Sequence, residues 1–317
     1  MSMEVIKLQK KTLKKQRLCI PGSISKNIDL YLLITPVIIY YFIFHYIPIY
    51  GVQIAFKNFI PTLGIWSSPW VGFMHFERFF RSYFFWRLIT NTLGISFYSL
   101  LVGFPIPIIL ALAMNDVKNK RFKKTVQTVT YIPHFISTVV IVGMIIPFLS
   151  PQNGIVNEII KLFGGSPVPF MTEGKWFKSI YVISTIWQEA GWGSIIYMAA
   201  LAGINEELYE AAIIDGASKV KRLWHITLPL LIPTITIMLI LRMGRIMNVG
   251  FEKILLMQNP LTMDSSDIIK TYVYRAGLLN AQYSFSSAID LFNSLINAAF
   301  LFVFNQLSRK ISETSLW

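Results

Sequence analysis

Residues 206–233 read EELYEAAIIDGASKVKRLWHITLPLLIP, a short polar stretch between two long apolar ones. Glu206, Glu207 and Glu210 are interleaved with Leu208, Ala211 and Ala212. That pattern suits one or two helical turns, with acids early, where the helix dipole favours them. Gly216 falls where the helix must end or the chain must turn, because glycine tolerates positive φ at little cost. Lys219, Lys221 and Arg222 follow, and Pro229 and Pro233 lie in the next apolar run. The spacing predicts a small helix–turn–helix on a membrane surface. Its alanines leave so little bulk that another protein's surface could approach closely.

The composition around this stretch sets the class. Of 317 residues, 54% are hydrophobic and 14% are charged, against roughly 25% charged in soluble domains. The chain is therefore expected to be an integral membrane protein. The formal net charge of +13 does not point to nucleic acid. The basic residues stand in short blocks beside apolar runs, as cytoplasmic flanks of spans do. Cys19 is the sole cysteine, which excludes an intrachain disulfide framework and a cysteine-built metal site. His45, His75, His134 and His225 are scattered and make no metal-ligand spacing.

A span needs about 20 mostly apolar residues. Six stretches qualify, near 30–50, 90–114, 127–149, 179–203, 226–248 and 285–307. The run from Leu30 to Tyr50 is too long for the apolar region of a signal peptide, and no small-residue cleavage site follows, so it reads as a retained first span. Residues 1–29, the block from Lys118 to Lys124, the loop 205–225 and the tail 308–317 are short and basic, which places them in the cytoplasm. Both termini then share that side. The opposite side takes 51–89, 150–178 and 249–284. The first of these is dense in aromatic residues, including Trp66, Trp70 and Trp86, and reads as interfacial helices. Prolines 36, 48, 105, 107, 133, 147, 229 and 233 lie in or beside the spans and predict kinked helices.

Charged and amide side chains inside spans are costly and are candidates for function. Glu189 lies mid-span in Trp187-Gln188-Glu189-Ala190-Gly191-Trp192. Aromatic rings beside amide and carboxylate groups suit a sugar, whose apolar face stacks while its hydroxyls bond. The alternatives are a helix contact or an ion pair, with Arg242 and Arg245 as possible partners of Glu189. Asn293 and Asn297, four apart in the last span, read as interhelical hydrogen-bonders before they read as solute contacts. His134 reads as a structural hydrogen-bonder. No phosphate-binding loop of the form G-x-x-x-x-G-K-[ST] is present, and no hydrolase or metalloprotease motif. The expectation is no catalytic residue and no metal.

Glu210-Ala211-Ala212, Asp215-Gly216-Ala217, Ile226 and Leu228-Pro229 together resemble the cytoplasmic coupling loop, or EAA loop, of the membrane subunits of ATP-binding-cassette (ABC) importers. Four further segments are similar to carbohydrate-type permeases, in particular the LplB-type polysaccharide and oligosaccharide permeases of Gram-positive bacteria. They are Tyr50 to Lys57, Pro69-Trp70-Val71-Gly72 with His75 to Phe79, Tyr131-Ile132-Pro133-His134-Phe135-Ile136-Ser137, and Ile196 to Ile204. The resemblance implies an all-α membrane fold of six transmembrane helices with a MetI-like core. It implies a multi-pass subunit of the bacterial cell membrane, in contact with lipid, that carries an oligosaccharide. The implied partners are a second homologous permease subunit, an ATPase dimer that holds ATP and Mg, and an external solute-binding lipoprotein. This chain would bind no cofactor of its own. Glu210, Ala211, Ala212, Asp215, Gly216, Ala217, Ile226 and Pro229 would serve ATPase coupling. Trp187, Gln188, Glu189, Trp192, Asn293 and Asn297 are the candidates for the solute path. One departure from the pattern is the acid at Glu189. Rival readings are an ABC permease for a non-sugar solute, a secondary transporter acting alone, and a membrane enzyme. The short supply of intramembrane acids and the lack of an internal repeat weigh against the second.

Overall fold

The computed structural model describes residues 27–312. The basic tail up to residue 26, with Cys19, and the last residues from 313 lie outside the described part. Among the described residues the fold is all helical, and the β pairing is an isolated bridge between Lys57 and Trp70. Four helical stretches are long and apolar enough to cross a membrane: Ile28–Phe56, Phe85–Asp116, Lys219–Met243 and Tyr283–Lys310. A bent pair, Lys120–Phe135 with Thr138–Phe148, makes a fifth if taken as one span.

The described residues up to Gln53, 27–53, form one compact unit. It is built on α1 (Ile28–Tyr41), which runs on through a wide turn at Phe42–Tyr46. The wide turn has a cause in the sequence. Pro48 has no N–H to give to the preceding turn, and the helix opens just before it, with Ile47 N bonding Phe42 O five residues back.

The chain from Ile54 onward forms the second unit. Its helices are α2 (Met74–Phe80), α3 (Phe85–Gly103), α4 (Pro105–Asp116), α5 (Lys120–Tyr131), α6 (Thr138–Phe148) and α7 (Ile155–Leu162). There follow α8 (Gly174–Ala202), α9 (Glu206–Ile214), α10 (Lys219–Arg222), α11 (Leu228–Met243), α12 (Phe251–Met257), α13 (Ile269–Tyr274) and α14 (Tyr283–Ser312). The 29-residue α8 is the central post, packed by α3, α4, α5 and α11, while α11 also lies on α14. One core joins Phe79, Leu88, Met243, Met247, Ile269, Phe285 and Ile289. A second joins Ile95, Val142, Phe177, Tyr181, Ile254 and Ile268.

Three expectations need correction. The stretch 127–149 is not one continuous helix, because the chain breaks between α5 and α6 and turns by 98°. Pro133 sits in a tight turn there, Ile132–Phe135, and Ser137 starts the new helix by accepting the Val140 N–H. The stretch 226–248 ends as a helix at Met243, and residues 248–250 have no regular structure. The stretch 179–203, by contrast, lies almost wholly in one continuous helix, α8, less apolar than the four stretches above, with Gln188 and Glu189 mid-helix. The last helix runs through 308, so the expected tail begins inside it.

The segments 54–89 and 249–284 fold against the helices of the second unit. Phe76 and Phe79 are buried, and α2 packs on α14. Lys57 is also buried; its ammonium donates to the Ile65 and Trp66 carbonyls and lies over the Trp70 ring. In 249–284, Asp267 is fully buried between Arg275 (2.6 Å) and Arg87 (3.7 Å), and accepts from the Thr271 hydroxyl. Asn91 donates to the Asp264 and Asp267 carbonyls and Thr92 accepts from Ile269 N, which ties the segment to α3.

Candidate functional site

The polar stretch that opened the sequence reading folds as expected into helix, turn and helix. Asn205 caps α9 by accepting the Glu207 N–H, and Glu206 and Glu207 occupy the first turn. The end of α9 is a Schellman closure. Gly216 has φ +73°, its N–H bonds Ile213 O at 3.0 Å, and the Ala217 N–H bonds Ala212 O at 2.8 Å. Ser218 then caps α10 by accepting the Lys221 N–H. The chain continues into α11 through a second wide turn, Leu223–Thr227, where Leu228 N reaches back five residues to Leu223 O. Pro229 stands just beyond it, for the reason given at Pro48. The second arm of the hairpin and the apolar helix that follows are thus one helical rod from Lys219 to Met243, with α9 set off from it by the turn at Gly216.

Two contacts hold this hairpin. Tyr209 Oη and Thr227 Oγ1 are 3.0 Å apart across it. Lys219 Nζ bonds Asp116 Oδ2, at the end of α4, at 3.0 Å. Glu210, Ala211, Asp215, Gly216 and Pro229 are exposed, and Ala212, Ala217 and Ile226 are half-buried. Large apolar side chains crowd the same surface: Leu208, Ile213, Val220 and Trp224 are exposed, and Ile214 is 86% exposed. An apolar patch framed by Glu206, Glu207, Glu210 and the basic α10 is the composition of a protein-docking surface.

The structure does not bring the six solute-path candidates into one pocket. Gln188 is buried; its amide donates to Ile136 O at 3.3 Å and its oxygen faces the Lys253 ammonium at 3.4 Å. Glu189 pairs with His134 at 3.0 Å, rather than with Arg242 or Arg245. Trp192 stacks on His134, with centroids 4.5 Å apart and planes 2° from parallel. Trp187 faces the other way, onto an apolar cleft with Ile141, Met144, Phe148 and Trp176. Gln188, Glu189 and Trp192 therefore brace the α5–α6 break against α8.

Asn293 and Asn297 act between helices. Both amides donate to Asn248 Oδ1, at 3.0 and 3.3 Å, and Asn297 Oδ1 accepts from Met247 N at 2.9 Å. With the Ser96 hydroxyl on Ile246 O and Tyr181 Oη accepting from Gly250 N, three helices, α14, α3 and α8, clamp the chain just after α11.

That clamped segment walls a cavity of about 460 Å³ that sequence reasoning missed. Ser96, Ser99, Thr185, Arg242, Arg245 and Asn248 give it its polar lining. Irregular backbone at this depth is tolerated where it lines such a cavity. The one signal in the sequence was Arg242-Met243-Gly244-Arg245, two cations near the end of an apolar run. The buried Lys253, bonded to Thr185 and Gln188, was also missed, because 249–284 read as an external connection.

Comparison with known proteins gives a consistent result. Residues 103–313 match the family described as binding-protein-dependent transport system inner membrane component. Protein LplB of Bacillus subtilis is 43% identical, over 93% of each chain. The polygalacturonan/rhamnogalacturonan transport system permease protein YteP of the same organism is 40% identical, over 96% of this chain and 94% of its own length. Among solved structures, a chain of a bacterial alginate ABC transporter in complex with alginate pentasaccharide-bound periplasmic protein is 43% identical. It superposes with a TM-score of 0.87, over 94% of this chain and 99% of that one. A chain of the MetNI methionine ABC transporter shares the fold at 14% identity and a TM-score of 0.51.

Proposed function

The chain belongs to the family of binding-protein-dependent transport system inner membrane components, a multi-pass bacterial membrane protein, and on that premise we propose that it is the permease subunit that conducts an oligosaccharide in an ABC importer. The names of LplB's relative YteP and of the alginate transporter support a glycan as solute. Six crossings are formed by α1, α3–α4, the broken α5–α6, α8, α10–α11 and α14, with both termini and the loop 205–225 in the cytoplasm. A second, homologous permease completes the path. A separate ATPase dimer holds ATP and Mg, and an external binding lipoprotein delivers the solute.

The observation that carries this reading is the continuity of the hairpin's second arm with the span, the first arm being tied to it by the Tyr209–Thr227 contact. A partner that grips Leu208, Ile213, Ile214 and Trp224 holds a lever whose other end, at Met243, lies beside the cavity. Burial of one such side chain is worth about 1.5–3 kcal/mol, so a few suffice to transmit force. Glu210 supplies a charge for a basic residue of the ATPase, and Asp116–Lys219 keeps the hairpin from swinging independently of α4.

Glycan uptake driven by ATP tests this reading, in cells bearing Glu210→Lys or Gly216→Pro, with membrane insertion checked separately. Both changes should abolish uptake and release the ATPase on purification. Uptake that persists without any ATPase rejects the reading.

A further inference from the structure

The cavity beside α11 carries charge of one sign. Arg242 and Arg245 line it, and no aspartate or glutamate does. Among the described residues neither guanidinium has a carboxylate within ion-pair distance. Acids elsewhere in the bundle have partners of their own, Glu189 with His134, Asp290 with Lys270, and Asp267 with Arg275 and Arg87. Lys253, buried behind Thr185, adds a third cation. Unpaired cations within a membrane bundle are costly unless a counter-charge reaches them. Among the described residues no such charge reaches Arg242 or Arg245.

Apolar side chains make up much of the remaining lining, and two of its polar residues, Ser99 and Asn248, have hydrogen-bonding capacity to spare. Ser99 is 9% exposed and its hydroxyl has no partner. Asn248 uses its oxygen on Asn293 and Asn297, which leaves its amide N–H groups as donors at the wall. The segment bearing Arg245 and Asn248 is pinned by Ser96, Asn297 and Tyr181, so these donors are held in place before any solute arrives. Two planar guanidiniums that share a cavity with hydroxyl and amide donors match carboxylates on a polyhydroxylated ring.

We propose that this cavity is a solute station selective for anionic oligosaccharides, in which Arg242 and Arg245 receive uronate carboxylates while Ser99 and Asn248 bond ring hydroxyls. This deepens the permease reading and rests on it. Neutral sugars would cross the same space without engaging the two arginines.

The test uses the intact complex in lipid nanodiscs without the binding protein, so that delivery does not mask selectivity. In a Cys19→Ser background, Leu241→Cys places a thiol on the cavity wall, and Ser99→Cys provides a second position. Anionic and cationic methanethiosulfonates of similar size report the local potential. The anionic reagent should react about tenfold faster, an ordinary focusing effect in a charged cleft. Arg242→Gln with Arg245→Gln should bring the ratio to about one. Trigalacturonate should protect the thiol, and its methyl ester should not. An unchanged ratio in the double variant, or equal protection by ester and acid, overturns the proposal. So does a double variant that sheds the second permease yet keeps its selectivity, since the arginines then serve an interface. If neither glycan protects while the complete importer still takes up glycan on ATP, this inference fails alone. If the complete importer takes up no glycan of either kind, the oligosaccharide reading falls with it.

Discussion

Gly191 of α8 lies so close to Thr130 of α5 that a Cβ added to it would sit 2.0 Å from the Thr130 carbonyl oxygen. Backbone meets backbone at this point, one turn from the His134–Glu189 pair. The end of α5 is therefore seated on α8 where the chain makes its 98° bend. Small residues permit this kind of approach between membrane helices. Gly191→Ala should force the two helices apart and cost about 1–3 kcal/mol, as overpacking does. Gly143→Ala is the control, because a Cβ there meets nothing within 4 Å. Thermal unfolding in detergent should show a lowered midpoint for Gly191→Ala and none for Gly143→Ala. Equal midpoints would show that the close contact is not needed.

The bend also marks where the sequence was legible and where it was not. The hairpin at 206–222 could be read because its causes are local: a capping Asn205, a glycine at positive φ, a capping Ser218. The apolar runs could be read because a span is a matter of length and composition. The bend at Pro133 was visible only as a proline in an apolar run, since its angle depends on Gln188, Glu189 and Gly191, some 55 residues on. The segment 249–284 looked like a loop because Lys253, Asp264, Asp267 and Arg275 raise its polarity. Their partners are Thr185 and Gln188 for the lysine, and Arg87 for both aspartates, contacts that no periodicity reveals. The tryptophan–glutamine–glutamate cluster was found as a polar patch in a span, but its three polar contacts point to three different neighbours.

The left-handed turn at Gly216 makes a narrower prediction. Its φ of +73° costs an L-residue about 1–2 kcal/mol, and a β-branched side chain suffers most. Gly216→Val should weaken ATPase co-purification and uptake while leaving the melting of the whole protein nearly unchanged, because the hairpin is exposed. Gly216→Asn, which tolerates that conformation, should retain most of both. If valine and asparagine behave alike, the turn's handedness does not matter for coupling.

Asp267 is the most enclosed charge among the described residues, with no exposed side-chain area and two arginines beside it. Asp267→Asn keeps the volume and the Thr271 contact but leaves Arg275 and Arg87 short of a counter-charge. Breaking one side of a buried pair costs about 3–5 kcal/mol. The expected outcome is a large fall in unfolding midpoint and faster proteolysis within 249–284. Asp264→Asn should do much less, since its carboxylate is 92% exposed. A variant at Asp267 as stable as the parent would mean that the segment is held by its apolar contacts with α3 alone.

His75 lies in the folded segment between the first two spans, outside the membrane-spanning helices, and gives a pH dependence of definite sign. Burial holds its imidazole pKa below the usual histidine range; the bond to Lys57 O works the other way, and nearby Arg78 adds to the lowering. Nε2 is 3.1 Å from Lys57 O, and the buried Nδ1 has no partner, so protonation would put an unpaired N–H in the interior. The folded state therefore binds the proton less readily than the unfolded chain. Its contribution to stability is complete above about pH 6.5, the ordinary histidine value, and shrinks as the pH falls below that. Hydrogen exchange across 57–80 should speed up on acidification from pH 7.5 to 5.5, after correction for intrinsic rates. His75→Asn can still donate to Lys57 O but cannot titrate, so its protection should change less over the same interval. Equal acid sensitivity in the two proteins would place the titrating group elsewhere.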